Sequence, residues 1–370
     1  MEKYNMTEET AEFTAQESEK CIGCKKCMVG CPMLDKFCEN PKELLDELYI
    51  EKQFSKELPY SCMLCGYCEE VCPVDVSFNE LFFRCREDLE QLSGGKLPKD
   101  LNLGGVELHQ RLSFSKLFSK SLKNDKSTVF FPGCALMGAK SSEVLKVNSY
   151  LDAKLNGCDI MTHCCGKPTR YMGKDEKFKG NIEKIQSELN KTGVKTVVAG
   201  CINCYKTLDE SLENVEVKSL WTVLDELEVV EDLGLDYSSL AIDPTIHDPC
   251  PSRTDEDIHE SVRSILTKMG IGYHEMDLNK RETLCCGAGA MVSISQKDIA
   301  ESHMKRRCGE SKSKQIVTYC QECTESFKKQ GMKSVHVLDF LFGDYSGLSF
   351  EESKLIAKWA NRFALSNWKR

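Results

Sequence analysis

No stretch of this chain approaches the roughly 18 consecutive apolar residues that a membrane-spanning helix needs. The opening segment, Met1 to Lys20, lacks the apolar core of a secretory signal. No Gly-x-Gly-x-x-Gly run follows a strand pattern, which excludes a built-in flavin or nicotinamide site of that kind. Basic charge is also short. The 49 Lys and Arg against 58 Asp and Glu leave a net charge of −9. A phosphate backbone needs a basic face, so no nucleic acid is expected as a partner. These absences set the expectation of a cytoplasmic protein.

Cysteine, by contrast, is abundant: 22 in 370 residues. In a small secreted chain this would suggest a disulfide framework. Here the chain is large enough for about two or three domains, has no signal, and groups its cysteines at ligand spacing. Reduced thiolates holding metal are the better reading.

Residues 21–32 read CIGCKKCMVGCP and residues 62–73 read CMLCGYCEEVCP. Each is the C-x-x-C-x-x-C-x-x-x-C-P run of bacterial-type [4Fe–4S] binding. Three thiolates two residues apart wrap one corner of a cube on a tight turn. The fourth points away, to the other cluster, and the proline ends the loop. One cubane cluster is therefore expected on Cys21, Cys24, Cys27 and Cys72, and the other on Cys62, Cys65, Cys68 and Cys31. Zinc is the competing metal, but zinc takes four ligands, usually as two separated pairs, and does not account for two identical runs. Between the runs, Leu44, Leu45, Leu48 and Tyr49 recur at helical spacing within 41–50. This favours a helical ferredoxin over the minimal small kind. Cys38, Cys85, Cys158 and Cys308 lie outside all motifs and read as structural.

From about Glu87 the composition shifts toward glycine, serine and basic residues, as in a linker. Beyond it the sequence repeats itself. The first copy has a strand running into Cys134, a helix, His163-Cys164-Cys165-Gly166, a helix around 182–189, and a strand from Thr196 ending in Cys201-x-x-Cys204. The second has a strand before Cys250, then Cys285-Cys286-Gly287, a helix around 298–307, and a strand from Gln315 ending in Cys320-x-x-Cys323. Cys134 to Cys250, Cys164 to Cys285 and Cys201 to Cys320 are offset by 116, 121 and 119 residues. Alternating strand and helix favours an α/β unit with parallel strands. The cysteines fall at strand C-termini, where open α/β sheets place ligands. The glycine after each Cys-Cys pair lets backbone amides approach a sulfur-rich group. A buried apolar pair explains Cys-Cys alone, and a zinc knuckle or redox dithiol explains CxxC alone. Neither explains five cysteines given twice in register.

The pattern Cys…CCG…CxxC, given twice, resembles the CCG domains of heterodisulfide reductase catalytic subunits. With the two ferredoxin runs in front, residues 18–340 resemble the fused, D-type subunit of that family. The same layout occurs in iron–sulfur subunits of anaerobic glycerol-3-phosphate dehydrogenase and of glycolate and lactate oxidation systems. The resemblance implies one noncubane [4Fe–4S] cluster on Cys134, Cys164, Cys165, Cys201 and Cys204. It implies a second on Cys250, Cys285, Cys286, Cys320 and Cys323. The expected fold class is α+β and multidomain. A helical two-cluster ferredoxin domain (1–86) and a linker (87–126) precede a duplicated α/β CCG domain (127–235 and 236–345) with pseudo-twofold symmetry. A C-terminal amphipathic helix (346–370) follows.

The function so implied is that of a heterodisulfide reductase-like oxidoreductase, one subunit of a complex. Electrons from a flavoprotein or ferredoxin-type partner would pass through two cubane clusters to two noncubane clusters that reduce a small disulfide to two thiols. His163 and His247 are candidate proton donors, and Lys167 and Arg170 candidate attractors of an anionic substrate. The alternative is an electron-transfer subunit linking a flavin dehydrogenase to quinone or another acceptor, with no substrate of its own. The segment Glu351–Arg370 supports it. Leu355, Ile356, Trp359, Ala360 and Phe363 gather on one side, with Lys354, Lys358 and Arg362 around them. Such a helix lies on the inner face of a membrane or docks on protein. A zinc scaffold is the non-redox reading.

Overall fold

The computed structural model describes residues 2–120, 122, 126–240, 242–345, 350 and 352–368. Glu351, Lys369 and Arg370, which bound or end the expected C-terminal helix, lie outside the described residues. The chain mixes helices with parallel sheets in an α+β arrangement and forms two compact units. The first comprises Met1–Glu107, Pro168–Phe178 and Arg281–Gly309, and the second Leu108–Lys167, Lys179–Lys280 and Glu310–Arg370.

The first unit is mostly helical. Strand β1 (Lys3–Asn5) pairs antiparallel with β2 (Gln53–Ser55), with Tyr4 opposite Phe54. Three main helices follow local start signals. Glu8–Lys20 begins after Thr7, whose hydroxyl accepts from the Thr10 N–H. Pro41–Glu51 begins after Asn40, with proline at the first helical position. Phe78–Leu92 begins after Ser77, which accepts from Glu80 N–H. In the helix Pro41–Glu51, Leu44, Leu45 and Leu48 are buried, but Tyr49 is 45% exposed. The apolar stripe is narrower than the sequence pattern implies.

The unit's central tie is Arg86, which is fully buried. Its guanidinium donates to Pro59 O at 2.8 Å, Cys62 O at 2.7 Å and Tyr171 O at 2.7 Å, with Ala290 O at 3.4 Å. Tyr60 adds a hydroxyl bond to Met172 O at 3.0 Å, and Ser295 donates to Tyr60 O at 2.9 Å. The segments 168–178 and 281–309 are thus bound to the ferredoxin region by backbone acceptors. They lie within the expected domains 127–235 and 236–345, yet pack with the N-terminal unit.

The second unit contains the duplicated sheets. Strands β3 (Thr128–Phe131), β4 (Cys158–Ile160), β5 (Thr196–Ala199) and β6 (Glu216–Ser219) form one parallel sheet in the order β4-β3-β5-β6. Strands β7 (Thr245–His247), β8 (His274–Glu275), β9 (Gln315–Thr318) and β10 (Lys333–His336) form another, in the equivalent order β8-β7-β9-β10. The central strands are buried beyond their first residue, as parallel strands covered on both faces are. At the end of the fourth strand in each copy, Ser219 and His336 cap the next helix by accepting from the N–H of Trp221 and of Leu338. The sheets share one core, with Phe130, Val198, Trp221, Ile246, Val317 and Tyr319 among its members.

The expected linker begins inside the helix Phe78–Leu92 and carries a further helix, Gly104–Ser113, that buries Gln110 and Ser113. The C-terminal helix runs Leu355–Ser366 and packs on the helix Cys134–Ala139. Asn361 donates to Gly138 O at 2.7 Å, and Trp359 sets its ring edge-on to Phe118 at 4.8 Å. Leu355 and Ile356 stay 70% and 86% exposed. Arg362, expected on the basic rim, is instead 3% exposed. It is drawn inward by hydrogen-bond acceptors and an aromatic face.

Candidate metal centres

In the first unit the two ferredoxin runs adopt matching loops. Gly23 and Lys25 have positive φ in one, and Leu64 and Gly66 in the other. That backbone turns successive thiols inward instead of continuing a helix. Cys21, Cys24, Cys27 and Cys72 line one pocket, closed by Ile22, Val74, Val76 and Phe78, with Cys68 at its wall. Burial, with the thiols of Cys21 and Cys72 beside it, pushes Cys27 up to about 12. Burial also raises Cys31, whose thiol neighbours are Cys62 and Cys65. Cys68 is raised by burial and by Cys62, Cys65 and Cys31. The fourth cysteine of each run thus adjoins the first three of the other. Backbone N–H groups point at two of the sulfurs, from Leu64 to Cys62 at 3.4 Å and from Val76 to Cys72 at 3.3 Å. Buried thiols this close resist ionising together, and a cation among them reverses that preference. These residues fit a cluster.

In the second unit the first five-cysteine set converges completely. Cys134 opens the helix after β3, Cys164 and Cys165 follow β4, and Cys201 sits at the start of the helix Ile202–Ser211, which carries Cys204. All five are at the C-terminal ends of three adjacent strands. The five thiols adjoin one another along the series Cys134, Cys164, Cys165, Cys204, Cys201. The contact with Cys164, then burial, raises Cys134. Donation from Cys164 and then Cys204 lowers Cys165. Gly166 N–H donates to Cys164 Sγ at 3.4 Å. A Cβ on Gly133 would sit 2.8 Å from Cys201 Cβ and 3.0 Å from Cys204 Sγ, so the bare backbone is part of the cradle. Five thiols with no disulfide among them fit a sulfur-ligated iron group.

The second set is divided between the units. In the second unit, Cys250 opens the turn Cys250–Ser252 after β7, and Cys320 precedes the helix Gln321–Lys329, which carries Cys323. Asp248 buttresses both loops. It accepts from Arg263, from Tyr319 Oη at 2.8 Å and from Lys280 N–H at 2.9 Å, while Ser252 bonds Tyr319 Oη at 3.0 Å. In the first unit, Cys285 and Cys286 are buried, and Gly287 N–H donates to Cys285 Sγ at 3.4 Å. Gly287 has φ +84°, and a Cβ there would lie 2.6 Å from Ala300 O.

Within the second unit the two copies adjoin at their cysteines. The helix Cys134–Ala139 packs on the helix Gln321–Lys329, and the helix Ile202–Ser211 packs on the turn Cys250–Ser252. Lys206 pairs with Asp255 at 2.6 Å beside that second contact.

The four predicted catalytic side chains have different surroundings. His163 is buried and pairs through Nε2 with Glu188 at 3.0 Å. His247 is fully buried, edge-on to Phe327 at 4.9 Å, with a ring nitrogen within 4.8 Å of Cys323 Sγ. The Lys167 backbone N–H reaches Cys165. Arg170 belongs to the first unit, where its guanidinium lies 5.5 Å from both the Phe83 and Phe178 ring centres. Sequence reasoning missed Gln110, whose amide approaches Cys164 Sγ at 3.5 Å. It also missed Asp248, although that residue stands two places before Cys250. Cys85 and Cys158 are fully buried.

Residues 17–76 match a 4Fe-4S dicluster domain, and residues 128–209 and 244–328 each match the cysteine-rich CCG domain. An uncharacterized iron-sulfur protein of Methanococcus maripaludis is 28% identical, over 85% of this chain and 69% of that protein. One subunit of the fumarate reductase (CoM/CoB) of Methanothermobacter marburgensis is 25% identical, over 87% of this chain and 70% of its own length. The D-type subunit of the dihydromethanophenazine:CoB–CoM heterodisulfide reductase of Methanosarcina mazei is 24% identical, over 82% of this chain and 88% of its own length. Among the described residues no helix is long and apolar enough to cross a membrane.

Proposed function

Since this chain belongs with the D-type heterodisulfide reductase subunits, iron–sulfur chains with a dicluster domain ahead of two CCG domains, we propose that it is the iron–sulfur subunit of an oxidoreductase complex that reduces a disulfide to two thiols. In this reading Cys21, Cys24, Cys27 and Cys72 hold one cubane [4Fe–4S] cluster, and Cys31, Cys62, Cys65 and Cys68 the other. Cys134, Cys164, Cys165, Cys201 and Cys204 hold a noncubane cluster, and Cys250, Cys285, Cys286, Cys320 and Cys323 its counterpart. Bound there, the clusters supply one-electron storage and transfer, and a disulfide needs two electrons and two protons to become two thiols.

The observation that carries the reading is the side-by-side packing, within the second unit, of cysteine-bearing elements from both copies, Cys134–Ala139 on Gln321–Lys329 and Ile202–Ser211 on Cys250–Ser252. Two neighbouring sites suit a substrate whose two sulfurs separate. His163, held by Glu188, and His247, held against Phe327, are assigned the proton supply. Lys167 is assigned the attraction of an anionic substrate. Arg170, engaged with two phenylalanine rings, is left out of that assignment.

The similarity to a fumarate reductase subunit favours a second reading, an electron-transfer subunit without a substrate of its own. Anaerobic reoxidation decides between them. The reduced protein is mixed with a panel of disulfides and with a soluble quinone analogue, and its iron–sulfur absorption is followed. Reoxidation by one disulfide, with two thiols formed, is the expected result. Indifference to every disulfide together with reoxidation by the quinone would establish the second reading.

A further inference from the structure

We propose that Arg362, His109 and Gln110 form a hydrogen-bonded chain ending on Cys164 that raises the reduction potential of the cluster held by the first five cysteines. The inference rests on the reading above for that site.

The chain begins in the C-terminal helix. Arg362 Nη1 lies 2.9 Å from His109 Nε2, Nη2 donates to Ser113 Oγ at 2.8 Å, and the guanidinium lies over the Trp359 ring at 4.7 Å. A guanidinium has donors only, so His109 Nε2 must accept. The imidazole is therefore neutral with its proton on Nδ1. Burial, reinforced by Arg362, holds the His109 pKa down to about 4, in keeping with that state.

His109 Nδ1 is 3.1 Å from one terminal atom of the Gln110 amide. Since Nδ1 donates, the atom facing it must be the amide oxygen. The two amide ends are the same size, and hydrogen bonding alone decides their orientation. The NH₂ group then occupies the other position, 3.7 Å from Cys164 Sγ, while the oxygen engaged by His109 lies 3.5 Å from the same sulfur. Gln110 and Ser113 are almost fully buried, so water does not compete.

A permanently charged guanidinium at the head polarises the whole series. An amide N–H donated to the sulfur favours the more negative, reduced state of the group that the sulfur ligates. Arg362 also lies close enough to Cys134 to favour its thiolate. The helix Leu355–Ser366 thus has a redox task that its exposed Leu355 and Ile356 do not disclose.

The test is an anaerobic redox titration of the full chain, followed by electron paramagnetic resonance, with iron and sulfide counts. Gln110→Leu and Arg362→Gln should each move one midpoint to more negative potential, and Gln110→Glu should move it further. Arg362→Lys should recover part of the shift. Iron content should be that of the unsubstituted protein. Unmoved midpoints with full iron would overturn the chain. So would loss of iron in both Gln110→Leu and Arg362→Gln, because that is the mark of a structural role. If Cys164→Ser leaves the iron content of the protein unchanged, the cluster assignment itself fails, whatever the hydrogen bonds do.

Discussion

Arg263 grips Asp248 through both ends of its guanidinium, Nη1 to Oδ1 at 3.1 Å and Nη2 to Oδ2 at 2.9 Å, and both residues are buried. The same arginine reaches Glu275 at 2.7 Å. Removing one member of such a pair leaves the other buried and uncompensated. Asp248→Ala should therefore destabilise the second unit by about 3–5 kcal/mol, seen as a large drop in thermal midpoint. Glu275→Ala, which removes a partly exposed partner, should cost much less.

The interlocking of the two ferredoxin loops is testable by spectroscopy. Cys72→Ser should perturb the cluster whose other ligands come from the first run, and Cys31→Ser the one from the second. Electron paramagnetic resonance of the reduced variants distinguishes them. If Cys72→Ser instead perturbs the cluster of Cys62, Cys65 and Cys68, the crossing assignment is wrong.

Gly133 has φ +82°, and a methyl group there would press on Cys201 and Cys204. Gly133→Ala should therefore lower the iron held by the first five-cysteine site while leaving the ferredoxin signals intact. Iron analysis and low-temperature resonance spectra give both readings from one sample.

Arg86 satisfies backbone acceptors on three chain segments of the first unit. Arg86→Leu leaves buried carbonyls without donors, at about 1–3 kcal/mol each. We expect a steep loss of thermal stability and early proteolysis near residues 168–178.

Burial, with Asp175 and Glu80 nearby, pushes Glu87 up to about 7. Its folded value lies above its unfolded value of about 4.3, so the folded state binds the extra proton between them. The stability linked to this group is fully present below about pH 4 and is lost as pH rises through about 7. Glu87→Gln should remove that slope, with a gain of about 1 kcal/mol at alkaline pH after allowance for solvent screening. Thermal midpoints at about pH 5 and about pH 8 measure it.

Much of this architecture is readable from residue spacing, because cluster ligands cluster locally. The two C-x-x-C-x-x-C-x-x-x-C-P runs and the doubled Cys…CCG…CxxC pattern identify the thiols, and the strand patterns before Cys134 and Cys201 place them at sheet ends. Supporting side chains are harder to read. Gln110 meets Cys164 from a position 54 residues away, in a segment with linker composition. Arg362 looks like the basic rim of a surface helix until Trp359, His109 and Ser113 are seen to enclose it. Arg170 reads as a substrate-attracting charge, and the sequence does not show that Phe83 and Phe178 lie beside it. Charge and amphipathicity describe an isolated helix, whereas tertiary neighbours decide which face it buries.

The polypeptide passes between its two units at residues 107/108, 167/168, 178/179, 280/281 and 309/310. Synthesis runs in one direction, and domains fold as units once their parts exist. Both ferredoxin loops are complete by Cys72, yet two of Arg86's acceptors, Tyr171 and Ala290, leave the ribosome much later. The N-terminal unit, begun first, is therefore complete only once residue 309 has been made. Its cysteines must be kept reduced, or be loaded with iron, while the chain that completes their surroundings is still being made.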